Sequence, residues 1–147
     1  MDKKLRLRFT TAFAGEMKKA FPEYVAVKLK SIYVWPGESL WRKDTEDCSY
    51  FIVLSPHPKG EKDEMTVELG WSRRKRFPEL MQRPSIVTKE GVSTAAERDE
   101  GSVRIGNLCA NAFDWTQVKD ATIQDIVSFF ILKLEQEGLP FLCRIGN

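Results

Sequence analysis

Imidazole is nearly missing from this chain: His57 is the only histidine in 147 residues. Cysteine is scarce as well, with Cys48, Cys109 and Cys143 far apart and no CxxC pair. Structural zinc needs four thiolate or imidazole ligands in a closed tetrahedron, usually presented in close pairs. Here every available ligand would have to converge from a distant position, so the count argues against zinc. Scattered cysteines in odd number point instead to reduced, mostly buried thiols in a cytoplasmic protein. Nucleophilic catalysis needs a base oriented by a third group. His57 lies in "SPHPKG", between prolines at the tip of a charged hairpin, and reads as an exposed loop residue. A Cys48–His57 pair would have to bridge the length of a strand.

Phosphate-cradling glycine loops are absent too, since "GESLWRK" and "GNLCANAF" resemble neither GxxxxGK[ST] nor GxGxxG. Nothing in the sequence calls for a cofactor. The longest apolar run, "IVSFFIL" (Ile126–Leu132), is far short of the ~20 residues that span a bilayer. The opening "MDKKLRLRFTTAFAGEMKKAF" is interrupted by Glu16, Lys18 and Lys19, which makes it a poor signal peptide. A soluble protein without a membrane partner is the expectation. Charge surplus is also lacking: 23 basic against 21 acidic residues leave +2, too little for a field that draws a protein onto DNA.

What is present describes one globular domain spanning residues 1–147, with 42% hydrophobic and 30% charged residues and no repeat or linker. Leu5, Phe9, Phe13, Met17 and Phe21 recur every four residues, predicting an amphipathic helix that Pro22 ends. Val25, Val27 and Leu29 alternate as in a strand, with a shift of phase at Ser31 that a bulge or turn would explain. Pro36-Gly37 marks a turn before "SLWRK". "SYFIVLS" (Ser49–Ser55) reads as a strand covered on both faces, and "MTVELGWS" (Met65–Ser72) alternates cleanly; together they predict a hairpin. The stretch from Phe77 to Gly101 predicts at most one helical turn, in "PELMQRP", within a long loop. "SVRIGNLC" reads as a short strand, and Asp114 with Gln117 as a capping box for a short helix. The final helix starts near Thr122, with Asp125 in its first turn, and Gly138 then Pro140 predict its stop. Phe129, Ile131 and Leu132 lie off its main stripe, so it is either sandwiched in the fold or covered by a partner. A monomer and a homodimer are both left open. The fold class expected is α+β: an antiparallel sheet of four or five strands with an N-terminal and a C-terminal helix packed on one face.

Two charge clusters are the candidates for function. "GWSRRKRFP" places Arg73, Arg74, Lys75 and Arg76 together, beyond a tryptophan whose strand phase points into the core. Kept extended, these cations would divide between two faces; turned, they would cluster. "WRKDTED" supplies Trp41 as an aromatic anchor beside Asp44, Glu46 and Asp47. Further carboxylates, at 62–64 and 97–100, sit in loop-like segments among opposite charges. A two-metal hydrolase or nuclease would need them to converge.

The phenylalanine-striped first helix, "IYVWPGESLWRK", the hairpin "SYFIVLSPHP…MTVELGWS", "VRIGNL" and a last helix running into "LPFL" together resemble a group of small bacterial α+β domains of uncharacterised function. Related proteins occur in toxin–immunity loci. The resemblance covers most of the chain, carries no diagnostic motif, and transfers no site residue. It implies a compact binding protein. The expectation is therefore a small cytoplasmic protein that neutralises a partner protein, such as a toxin, by occluding it. The basic run would suit an acidic partner and the acidic turn a basic one. A nucleic-acid-binding protein using Arg73–Arg76 is the alternative, and a metal-dependent hydrolase or nuclease the third reading.

Overall fold

The four-residue apolar rhythm forms a helix. In a computed structural model, which describes residues 1–28, 35–74, 86–95 and 97–146, helix α1 spans Lys3–Ala20 and buries Leu5, Phe9, Phe13 and Met17. Asp2 caps it, its carboxylate accepting the Leu5 N–H at 2.9 Å, and Lys18 and Lys19 occupy the last turn, where cations suit the helix dipole. Phe21 is the C-cap, with Pro22 immediately after.

Four strands follow: β1 (Val25–Val27), β2 (Ser39–Asp44), β3 (Ser49–Pro56) and β4 (Glu64–Ser72). Each pairs antiparallel with the next. Then come β5 (Ile86–Val87), a helical turn from Lys89 that ends in α2 (Val92–Ala95), and β6 (Glu100–Arg104). β7 (Thr116–Gln117), α3 (Ile123–Lys133) and α4 (Leu139–Gly146) complete the described chain. Strand order is β1-β2-β3-β4-β6-β5, with β7 on β4 beside the position where β6 leaves it. All pairings are antiparallel except β5 with β6. Among the described residues the sheet thus has seven strands where four or five were expected. β1, β5 and β7 are only two or three residues long, too short to show periodicity.

The helices lie on one face. Phe13 meets Trp41 edge-on at 5.2 Å, Phe141 meets Trp71 at 5.7 Å, and Gly138 backs onto Leu69. Trp41, Ile52, Leu69 and Val103 are mutual neighbours across four strands, so this face is a continuous apolar sheet surface. Removing one of the large aromatics that α1 packs into this core, such as Phe9 or Phe13, would cost about 3–5 kcal/mol. The opposite face is buried too. There Leu40, Phe51 and Val53 sit beside Ser49, Ser55, Thr66, Glu68, Ser72 and Ser102, all nearly inaccessible. Part of the cover is the segment after β6, whose Asp114 carbonyl accepts the Thr66 hydroxyl at 2.7 Å. Phe51 lies flat across its neighbour Gly70, where a Cβ would stand 1.7 Å from the ring.

Several expectations change. The long loop before β6 contains α2, whose Ala95 is fully buried. The strand read in "SVRIGNLC" starts at Glu100 and ends at Arg104, passing into a 3-10 turn, Ile105–Leu108. Gly106 permits that turn because the Phe113 carbonyl occupies the space a Cβ would need. Asp114 caps no helix. Gln117 pairs with Glu64 in β7, because the β4 edge left open by β6 offers a ladder. Thr122 is the residue before α3 as expected, but its hydroxyl turns back to the Lys119 carbonyl and amide. Gly138 and Pro140 do not stop the helix. A π turn, Leu134–Gly138, joins α3 to α4, with the Leu139 N–H bonded to the Leu134 carbonyl. Pro140 follows as the second residue of α4, directly after the π turn. Of the off-stripe residues in α3, Phe129 packs on Phe113 and Phe130, Ile131 joins the core, and Leu132 is exposed. The phase shift at Ser31 and the turn expected in "PELMQRP" lie outside the described residues.

Candidate functional site

The register decides where the two charge clusters go. Asp44, Ser49, Ser72 and Glu100 form the last row across β2, β3, β4 and β6. Just beyond that row, at the same end of the sheet, lie the β2–β3 turn with Glu46 and Asp47, the exit of β4 with Arg73 and Arg74, and Arg98 and Asp99 ahead of β6. Adjacent strands are about 4.8 Å apart, so three spacings bring the whole set onto one rim roughly 15 Å wide.

Each part of the rim is held locally. The β2–β3 turn closes through the Thr45 N–H on the Cys48 carbonyl (2.8 Å) and the Thr45 hydroxyl against the Cys48 backbone. Asp44 is paired with Arg42 at 2.8 Å, while Glu46 and Asp47 stand exposed at the tip with no ion pair to a described residue. Arg73 is drawn inward: its guanidinium donates to the carbonyls of Arg98 (2.5 Å) and Ile145 (2.6 Å), and its N–H to the Asp99 carbonyl (2.8 Å). Arg74 remains on the surface, 3.5 Å from Asp99, both more than half exposed. Lys75 and Arg76 lie outside the described residues. Ser72 donates to Glu100 at 2.7 Å, just inside the rim.

Trp41 does not belong to this surface. It is 5% exposed and packs against Phe13, because its place opposite Ile52 turns it to the helices. The expected aromatic anchor is a core residue. The aromatics behind the rim are buried ones: Trp71, whose indole N–H donates to the Arg98 carbonyl at 3.1 Å, and two tyrosines. Tyr50 has its hydroxyl against Gly146, and burial, reinforced by Cys48, pushes its phenol up to about 12. Tyr24 lies under the Lys43 ammonium (6.0 Å), and burial, with Glu23 beside it, raises its phenol further still. Both stay neutral hydrogen-bonding groups at physiological pH.

A second assembly, at the opposite end of the sheet, was not anticipated. His57 is half-buried with its ring 4.6 Å from that of Trp115, and its Nδ1 accepts the Lys59 N–H. The Arg104 guanidinium covers Trp115 at 5.1 Å and lies between Asp114 (3.3 Å) and the buried Glu68 (3.8 Å). Alternation from Met65 to Ser72 sets Glu68 on the face opposite Leu69 and Trp71, and the pairing Glu68↔Arg104 brings the two charges together. This stack braces the segment after β6 against β4. Among the described residues no three His, Cys, Asp or Glu side chains converge as a metal site would require. Comparison with protein-family models, characterised proteins and solved structures finds no match. No helix among the described residues is long and apolar enough to cross a membrane.

Proposed function

We propose that this chain is a binding protein that docks its charged rim against a partner protein, in the manner of an immunity protein that occludes a toxin's active site. The observation that supports this reading is the mixed charge of one short rim, where Asp44, Glu46, Asp47 and Asp99 stand with Arg42 and Arg74. A polyanion needs a continuous basic track. Among the described residues it would meet Asp99 beside Arg74, and Arg73 is turned into the fold. A protein surface of complementary pattern gains steering and register from the same arrangement. Glu46 and Asp47, exposed on a hydrogen-bonded turn, are the leading contacts, and they suit a partner with a basic cleft such as a nuclease.

The test uses a partner captured from the native host and then purified. The double variant Glu46→Lys, Asp47→Lys should weaken its binding by at least about 100-fold, the size expected when several charge pairs across an interface become repulsive. Circular dichroism should show the fold unchanged. Wild-type affinity in this variant would refute the rim assignment. Steeply salt-dependent binding to generic RNA or DNA, lost in Arg74→Glu, would favour the nucleic-acid alternative instead.

A further inference from the structure

A cleft of about 740 Å³ opens where the turn Ile105–Leu108, the helical turn ending in α2, and the π turn with α4 come together. Small-molecule sites occupy about 300–1,000 Å³ and combine apolar walls with a few placed polar groups. Val92, Leu108 and Phe141 supply the apolar wall, and Lys89, Arg144 and Glu137 line the same space. None of these three charged side chains forms an ion pair with another described residue.

Two of them are held in place by other means. Lys89 donates one N–H to the Ala110 carbonyl at 3.2 Å, and an ammonium has two more. The Arg144 guanidinium lies over the Phe141 ring at 5.8 Å. Glu137 lies in the π turn, and Phe141 and Arg144 follow it. Gly138 is pressed so closely against the sheet that a Cβ would stand 3.0 Å from Ile105 and 3.1 Å from Leu69. A regular α-helix through the same segment would swing the following side chains by about 100° per residue removed. Such turns recur at functional sites. Cys109, also in the lining, is a neutral surface there, because burial raises its thiol.

We infer that this cleft binds a small zwitterion with an apolar body, an α-amino acid carrying an aromatic or branched aliphatic side chain. Its carboxylate meets Lys89 and Arg144, its ammonium meets Glu137, and its side chain lies on Val92, Leu108 and Phe141. A simple anion would face Glu137, and a simple cation would face two positive groups. Only the zwitterion matches all three. The inference is independent of the partner-docking rim.

Isothermal titration calorimetry on the full chain tests it, with L-phenylalanine, L-leucine, 3-phenylpropionate and phenethylamine as probes. At least one of the two amino acids should bind, and the single-charge analogues should bind at least about tenfold more weakly than L-phenylalanine, as expected for loss of one charge-assisted contact. Glu137→Gln should abolish the preference for phenylalanine over phenylpropionate. Lys89→Gln and Arg144→Gln should weaken both ligands alike. The inference is overturned if neither amino acid binds at about 10 mM, the weak limit of a specific small-ligand site. It is equally overturned if phenylpropionate binds the wild type as well as phenylalanine does, or if Glu137→Gln leaves the preference intact.

Discussion

Replacing Arg73 with alanine separates a role in the fold from a role in binding. Its guanidinium ties the exit of β4 to the Arg98 carbonyl, ahead of β6, and to the Ile145 carbonyl in α4. A hydrogen bond with one charged partner contributes about 1.5–3 kcal/mol when desolvated. Arg73 is only partly buried, and screening lowers each bond to about 1 kcal/mol. The pair then stabilises the fold by about 2 kcal/mol. For a domain of this size that corresponds to a fall of roughly 4–8 °C in Tm. Urea denaturation should show the midpoint lowered with the m value unchanged. Arg73→Lys, which keeps the charge but loses the fork, should recover about half of the loss. Arg74→Ala is the control: its pair with Asp99 is long and exposed, so the change should stay within about 0.5 kcal/mol. An Arg73→Ala protein that melts like the wild type, or an Arg74→Ala protein equally destabilised, would refute the bracing role.

Other expectations follow from the same contacts. Gly15 is exposed in α1 with open space where a Cβ would go, so Gly15→Ala should stabilise by about 0.5–1 kcal/mol in thermal melts; a loss would mean the helix surface is occupied. Gly70→Ala should destabilise by about 2–3 kcal/mol, since the Phe51 ring must move away, and an unchanged urea midpoint would contradict that packing. Stability should be fully present below about pH 10 and decline towards pH 12, because unfolded tyrosine ionises at about 10 while Tyr50 keeps its proton to about 12. Tyr50→Phe should flatten that decline, and a slope identical to wild type would show that Tyr50 does not contribute. With a thiol reagent under native conditions Cys143 should react first, leaving the buried Cys48 and Cys109 protected; simultaneous reaction of all three would contradict their burial.

Local pattern carried the strong elements. The stripe Leu5–Phe9–Phe13–Met17 is a helix because four-residue spacing leaves one face to bury. The phase from Met65 to Trp71 put that tryptophan in the core, where it is fully buried. The same rule was uninformative for Trp41, since "SLWRK" is too short to say which parity faces the helices; only its pairing with Ile52 does so. Thr66, Glu68 and Ser72 alternate with the apolar residues of β4, yet they are buried as well, because a polar strand face can be covered when its groups find partners. Glycine and proline near the C-terminus read as a stop and instead sit at a π turn, since Gly138 is there for close approach to the sheet.

The sequence by itself determined the small net charge, a plain sum over residues, and the α+β class, the two principal helices and the central hairpin, whose signals are local periodicities. Tertiary structure alone decided that Asp44–Asp47 and Arg73–Arg74 share one rim, that Arg73 bonds inward, and that Lys89, Glu137 and Arg144 line one cleft. Those relations join residues dozens of positions apart. They are set by strand register and by a helix seated against the sheet, which no local periodicity encodes.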